Sequence, residues 1–355
     1  MKNIAIVLFD ITKRTGTERA VCNLANLLAK SQKYTVSIIS IYSSYGGAAY
    51  DINKDISLYH CRLTPFGNRI TRLWMYRLLI KNIKQICKKN NIDIILGTTH
   101  GINIMLFFIR KKATTIACEH LNYMAAPKSA RILRRVTYPF LKVIVTLTLS
   151  DVRHYSFHKN VKVIPNSLSF VSNKQAELIN KEILAVGRLT NQKGFDLLIN
   201  AISLIKDDFN GWKVNIIGSG EDEDKLKKQI EKLNLQNIIR IYPPTKNIEL
   251  EYQKASIYVM SSRYEGLPMV LIEAQTCGLP IVSFDCPEGP SEVIHNNDDG
   301  FLVENGNIEN LSKAILELMC NQEKRIQFGK KALENSNKYK PESIFTLWDN
   351  LFNTL

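Results

Sequence analysis

Short apolar runs alternate with longer segments of helical spacing from one end of the chain to the other. Ile4–Phe9 leads into a loop at Thr15-Gly16-Thr17, then into Glu18–Lys30, where Ala20, Val21, Leu24, Leu27 and Leu28 recur at helical intervals, then into a second run at Tyr34–Ile41. A strand, a helix and a strand in that order make a parallel pair, because parallel strands need a long crossover and a helix usually supplies it. The pattern continues with strands at Ile92–Gly97, Thr114–Cys118, Lys142–Leu149 and Val161–Ile164 and a helix over Ile102–Arg110. It restarts with strands at Ile183–Val186, Trp212–Ile217, Ile238–Tyr242, Ile257–Met260 and Ile281–Phe284, and with helices over Phe195–Leu204 and Asp222–Leu233 and around Glu273. The fold class expected is α/β, with two doubly wound parallel sheets in series.

A chain of 355 residues also exceeds what one ordinary core holds. The stretch Asn166–Lys181 is polar and weakly periodic. The expected domains are therefore 1–168 and 181–335, with a linker at 169–180 and a C-terminal helix within 336–355 that crosses back to the first domain. That helix carries Phe345, Leu347, Trp348, Leu351 and Phe352.

The net charge of +14 is unevenly placed. Residues 1–174 hold 27 Lys and Arg against 7 Asp and Glu, and residues 175–355 hold 20 against 26. A half with an excess of +20 is expected to meet something anionic. The segment Arg69–Lys81, continuing to Lys88 and Lys89, is basic, amphipathic and aromatic, the composition of a helix lying on a membrane surface. Leu106–Lys112 and Arg131–Arg135 add to it. A solvated helix packing its apolar stripe on the core is the plainer alternative. Apolar runs such as Val143–Leu149 fall far short of the roughly 18 residues that cross a bilayer. Met1–Phe9 is too short for a signal peptide and suits a buried strand. The chain is thus expected in the cytoplasm, peripheral on the inner face of the cytoplasmic membrane. Its seven cysteines form no CxxC pair, which points to reduced thiols and no zinc site.

Four places in the second half carry chemistry. Gly187-Arg188 ends a strand, and Lys193-Gly194 opens the following helix, a position where two cations and backbone N–H groups can hold a diphosphate. Arg263–Glu273 carries two glutamates eight apart, about two helical turns, which places them on one face near a helix start. Glu273 lies among Val270, Leu271, Ile272 and Ala274, where an unpaired acid is costly. Gly218-Ser219-Gly220 is a tight strand-to-helix turn, and Cys286–Glu292 a rigid loop after a strand. Each alone is also satisfied by an ordinary turn.

Together, Gly187-Arg188 with Lys193-Gly194, Gly218-Ser219-Gly220, Glu265-Gly266-Leu267-Pro268 through Glu273, and Gly278–Val282 resemble glycosyltransferase family 4, whose signature is E-x7-E. The resemblance spans nearly the whole chain and is densest over 182–304. It implies the GT-B fold: two Rossmann-like doubly wound domains facing a cleft, with a nucleotide diphosphate sugar bound mainly by the C-terminal one. By this resemblance Arg188 and Lys193 hold the diphosphate and the charge growing on the leaving group. Glu273 binds the ribose, and Glu265 with the Gly266 and Leu267 backbone holds the sugar. In the first half, Thr15-Gly16-Thr17-Glu18 stands where the family has Gly-Gly-x-Glu, leaving Gly16 to approach the phosphates. His120, after Cys118-Glu119, would touch the donor sugar near the reaction centre. Tyr242-Pro243-Pro244 would face the base, where family members often carry glycine.

The activity implied is a hexosyltransferase that retains anomeric configuration. It would move a hexose or N-acetylhexosamine, most simply from a UDP-sugar, to a lipid-linked or polysaccharide acceptor in bacterial envelope glycan synthesis. No Asp-x-Asp sits at a strand end, and Asp222-Glu223-Asp224 opens a charged helix, so neither cofactor nor metal is expected. The partners expected are the nucleotide-sugar donor, the glycan or lipid-linked acceptor, and an anionic membrane surface met by the basic first domain. A sugar epimerase of the same fold is the nearer rival, and the E-x7-E spacing speaks against it. A nucleic-acid-binding protein using the basic half is the distant one, and none of the familiar nucleic-acid-binding signatures is present.

Overall fold

The computed structural model describes the whole chain except residues 43–46, 64–68 and 121–122 and the side chains of residues 69–73 and 125. The chain divides into two units, Met1–Ser169 with Pro341–Leu355, and Phe170–Lys340.

The first unit runs β1 (Lys2–Leu8), α1 (Gly16–Lys30), β2 (Tyr34–Tyr42), β3 (Ser57–Leu63), α2 (Arg69–Lys89), β4 (Ile94–Gly97), α3 (His100–Leu106), β5 (Thr114–Glu119), α4 (Lys128–Thr137), β6 (Val143–Thr146), α5 (Leu149–Val152) and β7 (Val161–Val163). Its seven strands are all parallel, in the order β3-β2-β1-β4-β5-β6-β7. The central strand β1 sets Ile4 opposite Val36 on one side and Ile94 on the other. Ile4 through Leu8 are fully buried, because helices cover both faces of the sheet. One face packs under α1 through Val21, Ala25 and Leu28. The other packs under α2 and α3 through Leu79, Ile83, Ile102 and Leu106.

The second unit runs β8 (Glu182–Val186), α6 (Phe195–Leu204), β9 (Lys213–Ile217), α7 (Glu223–Lys232), β10 (Ile239–Tyr242), α8 (Ile248–Lys254), β11 (Ile257–Met260), α9 (Met269–Thr276), β12 (Ile281–Asp285), α10 (Pro290–Val293), β13 (Gly300–Glu304), α11 (Ile308–Cys320) and α12 (Gln322–Ser336). Its six parallel strands are ordered β10-β9-β8-β11-β12-β13. Leu198 and Ile202 of α6, Ile315 and Leu318 of α11 and Phe328 of α12 join the strands in one core.

The last helix, α13 (Pro341–Asn353), packs in the first unit through Ile344, Trp348, Leu351 and Phe352. The Tyr34 hydroxyl donates to Asp349 at 2.6 Å, and the Tyr34 ring meets Phe352 edge-on with centroids 5.3 Å apart. Lys2 Nζ donates to the Phe352 carbonyl near the helix end.

Several elements differ from the sequence expectation. The strand expected over Lys142–Leu149 stops at Thr146, because the Thr148 hydroxyl accepts from the Asp151 N–H and starts α5. The helix expected to Arg110 ends at Leu106. The segment 169–180 is no free linker from Phe170 onward, where it packs on the second unit. The Ala176 N–H donates to the Cys277 carbonyl at 2.9 Å, Ser172 donates to Glu249 at 2.8 Å, and Leu178 is buried. The basic amphipathic segment does form α2, but the side chains of its first five residues, Arg69–Leu73, lie outside the described residues.

One polar cluster pins α3 and α4 to the end of β5. Arg134, fully buried on α4, meets Glu119 at 2.6 Å. Asn103 of α3 donates to the other Glu119 oxygen at 2.9 Å, and the Tyr138 hydroxyl donates to it as well. Arg134 also donates to the Tyr123 carbonyl at 3.3 Å and lies 5.0 Å from the centre of that ring. A buried pair of this kind recovers its desolvation only while both charges remain. Arg134→Met is expected to lower the free energy of unfolding by about 3–5 kcal/mol, and adding Glu119→Gln to recover part of that loss. Urea denaturation of the single and double variants checks this; equal losses in the two would show that no charge had been left stranded.

Candidate active site

In the second unit the expected residues converge at the carboxyl edge of the sheet, the edge at which open α/β sheets bind ligands. Strand β8 ends at Val186 and hands the chain to Gly187 and the exposed Arg188. A short 3-10 turn over Asn191–Lys193 follows, and Gly194 caps α6 in the left-handed region at φ +63°. A side chain at 194 would strain that backbone and set a Cβ 2.0 Å from the Ser261 carbonyl oxygen. Lys193 is thereby held beside β11, where its Nζ meets Glu265 at 2.6 Å. Ser262 donates to the same Glu265 oxygen at 2.6 Å.

The two glutamates do not share a helix face, contrary to expectation. Pro268 disfavours helix in the residue before it, so α9 begins only at Met269 and Glu265 stays in the loop. Glu273 sits inside α9, 2% exposed, and accepts from the Tyr252 hydroxyl of α8 at 3.1 Å. The carboxylates are thus held separately, one by a cation and a serine, the other with a tyrosine donor. The loop that carries Glu265 is tied to α6 by Arg263, which pairs with both Asp196 oxygens at 2.8 and 2.7 Å. Burial pushes the Asp196 carboxyl up, but its hydrogen bonds and charge pairing with Arg263 override this and leave it below the usual carboxylate range. Behind the loop, Gly289 at φ +109° lies so close that a Cβ there would sit 1.8 Å from the Gly266 carbonyl oxygen.

Ser262, Tyr252 and the Arg263–Asp196 pair were not assigned roles from sequence. Ser262 stands three residues before Glu265 and was legible as a local partner. Tyr252, 21 residues before Glu273, becomes visible only once the helices pack. Tyr242, at the end of the edge strand β10, does not join the cluster. It is half exposed and lines a separate depression of about 690 Å³ with Asn215, Ile217 and the two prolines after it.

In the first unit, Gly16 and His120 occupy the corresponding carboxyl edge. Gly16 opens α1, with the Thr15 hydroxyl donating to Glu18. A Cβ on Gly16 would meet nothing within 4 Å, so the chain's own packing does not require glycine there. His120 follows β5 directly, half-buried, and its Nδ1 has no partner among the described residues. Burial pushes its imidazole down to about 4, against the opposing pull of a side-chain hydrogen bond with Asn166. It is therefore neutral near pH 7.

Residues 171–335 match the family described as glycosyl transferases group 1. An uncharacterized glycosyltransferase of Haemophilus influenzae is 32% identical over 98% of this chain and 99% of its own length. The amylovoran biosynthesis glycosyltransferase AmsD of Erwinia amylovora is 31% identical over 99% of this chain and its full length. The chain belongs to the group 1 glycosyltransferases. An α-1,4-N-acetyl-D-galactosaminyltransferase of Campylobacter jejuni, named for a GalNAc-containing glycan on PP-undecaprenol, is 31% identical over 91% of this chain and 89% of its own. The crystal structure of Staphylococcus aureus TarM in complex with UDP superposes with a TM-score of 0.83 at 19% identity, covering 99% of this transferase and all of that chain. The two parallel-sheet α/β units are those of the GT-B fold.

The transferase's His120 carries a pH prediction. The folded protein resists protonating it, so the unfolded chain takes up the proton first as pH falls below 6.5, and folded stability is lost from there down to about 4. His120→Gln is expected to flatten this part of the stability profile. Thermal midpoints measured from pH 7.5 to 4 check it, and an unchanged slope would place the acid-sensitive group elsewhere.

Proposed function

We propose that this transferase moves a hexose or N-acetylhexosamine from a UDP-sugar to a glycan or lipid-linked acceptor in bacterial envelope glycan assembly, with retention at the anomeric carbon and without a metal. The observation that carries the reading is the cluster at the carboxyl edge of the second sheet: Arg188 exposed, Lys193 on Glu265, and Glu273 buried on Tyr252. Cleaving a sugar–phosphate bond puts growing negative charge on the nucleotide diphosphate. Positioned cations stabilise such charge most where they need not reorganise. Lys193 is already fixed by Glu265, and Arg188 has no ion-pair partner among the described residues. Those two take the diphosphate, with Gly187 giving the backbone room to approach. An ionised carboxylate accepts through two oxygens, which suits Glu273 to the two ribose hydroxyls. Glu265 and the Gly266–Leu267 backbone take the sugar, and Tyr242 the base. On the first unit, Gly16 leaves room for a phosphate to approach, and His120 is a neutral hydrogen-bonding ring suited to a sugar hydroxyl.

UDP in the TarM structure and the PP-undecaprenol glycan in the Campylobacter relative's name support the choice of donor and acceptor class. The α-linkage in that name is what retention yields from an α-configured donor. Among the described residues no helix is long and apolar enough to cross a membrane. The enzyme meets its acceptor instead through the basic first unit, docked on the anionic inner face of the cytoplasmic membrane.

Calorimetry with UDP, GDP and ADP in the presence of EDTA tests the donor site. UDP is expected to bind at micromolar strength, and Glu273→Ala to lose about 1–3 kcal/mol. Binding that needs a divalent cation, or that is indifferent to Glu273→Ala, overturns the assignment. Flotation with anionic vesicles is expected to fall steeply as salt rises, with neutral vesicles recovering little protein; equal recovery on both would remove the membrane from the account.

A further inference from the structure

Helix α4 is built inside out. An amphipathic helix on a soluble domain turns its apolar side chains to the core and its charges to water. Here Arg134 is fully buried, while Ile132 is 64%, Leu133 48% and Val136 59% exposed. The buried cluster around Glu119 holds the helix in this orientation. Leu133 forms part of the wall of a groove of about 740 Å³ running between α2, α3 and α4. Ile80, Ile104, Met105 and the half-exposed Phe108 supply most of the remaining apolar lining, and Arg77 and Lys84 are its cations. The volume is that of a small-molecule site, and the lining is mostly hydrocarbon. A second depression of about 410 Å³ shares Arg77, Ile80 and Lys84 with it and adds Lys81, Lys88 and Lys112. Among the described residues no acidic one lines either of them.

Apolar walls with a cationic border fit an amphiphile that carries a long hydrocarbon chain and an anionic head. His100 and Gly101, in the first turn of α3, bring one end of the groove to the carboxyl edge of the first sheet, the edge that carries Gly16 and His120. We infer that this groove seats the hydrocarbon chain of a polyprenyl-diphosphate-linked acceptor, with Arg77 and Lys84 facing its diphosphate. The inference rests on the lipid-linked acceptor proposed above and adds where the lipid is held. A glycan carried on such a lipid then emerges at that sheet edge. The exposed face of α4 meets the hydrocarbon of the same lipid and of the bilayer that delivers it.

The test uses the full-length protein, held in saturating UDP so that a diphosphate cannot enter the nucleotide site. Farnesyl diphosphate and inorganic diphosphate serve as probes, titrated by calorimetry. Farnesyl diphosphate is expected to bind about tenfold or more tightly than inorganic diphosphate, because only it has a chain to bury. Phe108→Ser with Leu133→Ser, both half exposed in the free protein, is expected to weaken farnesyl diphosphate about tenfold and to leave inorganic diphosphate, UDP affinity and the thermal midpoint unchanged. Arg77→Gln with Lys84→Gln is expected to weaken both probes. Equal affinity for the two probes overturns the proposal, as does a Phe108→Ser/Leu133→Ser variant that keeps wild-type farnesyl diphosphate binding. A variant that loses only adsorption to phosphatidylglycerol vesicles also overturns it, in favour of a general membrane face. Failure of the donor reading shows separately, as loss of UDP binding with the probe difference intact when the probes are titrated without nucleotide.

Discussion

A parallel strand cannot be joined to its neighbour by a tight turn. Each must be followed by a crossover that returns the chain to the starting edge, and this constraint organises both units of the transferase. All thirteen strands leave their sheets at a carboxyl edge, and the loops there inherit the freedom that the buried strands lack. In the second unit five successive strand ends deliver Gly187 and Arg188, Gly218, Tyr242, Glu265 and Gly289 to one side of one sheet. No long-range sequence signal is needed to gather them. Backbone hydrogen bonding that cannot close locally does it.

This is why so much was legible in the sequence. The apolar runs at Ile4–Phe9 and Ile257–Met260 are buried on both faces and therefore read as unbroken hydrophobic stretches. The glycine at 194 marks a turn where the chain after β11 comes close. Elements at the margins were harder to read. Strand β3 is an edge strand, half-buried and mixed in composition, and gives no clean pattern. Helix α4 was legible only as a basic stretch, because its periodicity points the wrong way: Arg134 faces in and Ile132 out. The pairing of Glu265 with Lys193 spans 72 residues and depends on how β8 and β11 lie side by side, which spacing alone does not report.

Charge is handled in two ways in this molecule. Where it is buried, as in Glu119 with Arg134 or Asp299 with Gln275 and Asn335, the carboxylate takes several fixed donors and the group serves the fold. Where it borders the candidate site, the partners are fewer and more accessible: Lys193 keeps one carboxylate, and Arg188 keeps none among the described residues. The first unit adds a third arrangement, an excess of cations beside hydrocarbon with no acid between them among the described residues, around the groove of α2, α3 and α4.

The near-contact of Gly289 with the Gly266 carbonyl oxygen constrains two loops at once. The loops after β11 and β12 touch backbone to backbone, so position 289 cannot gain a side chain without moving the loop after β11. The pair therefore behaves as one mechanical part. Room for a different residue lies instead at its flanks, at the exposed Tyr264 and Pro287, where a new side chain alters what the loops present without prying them apart. Substitutions there leave the contact between the two loops in place.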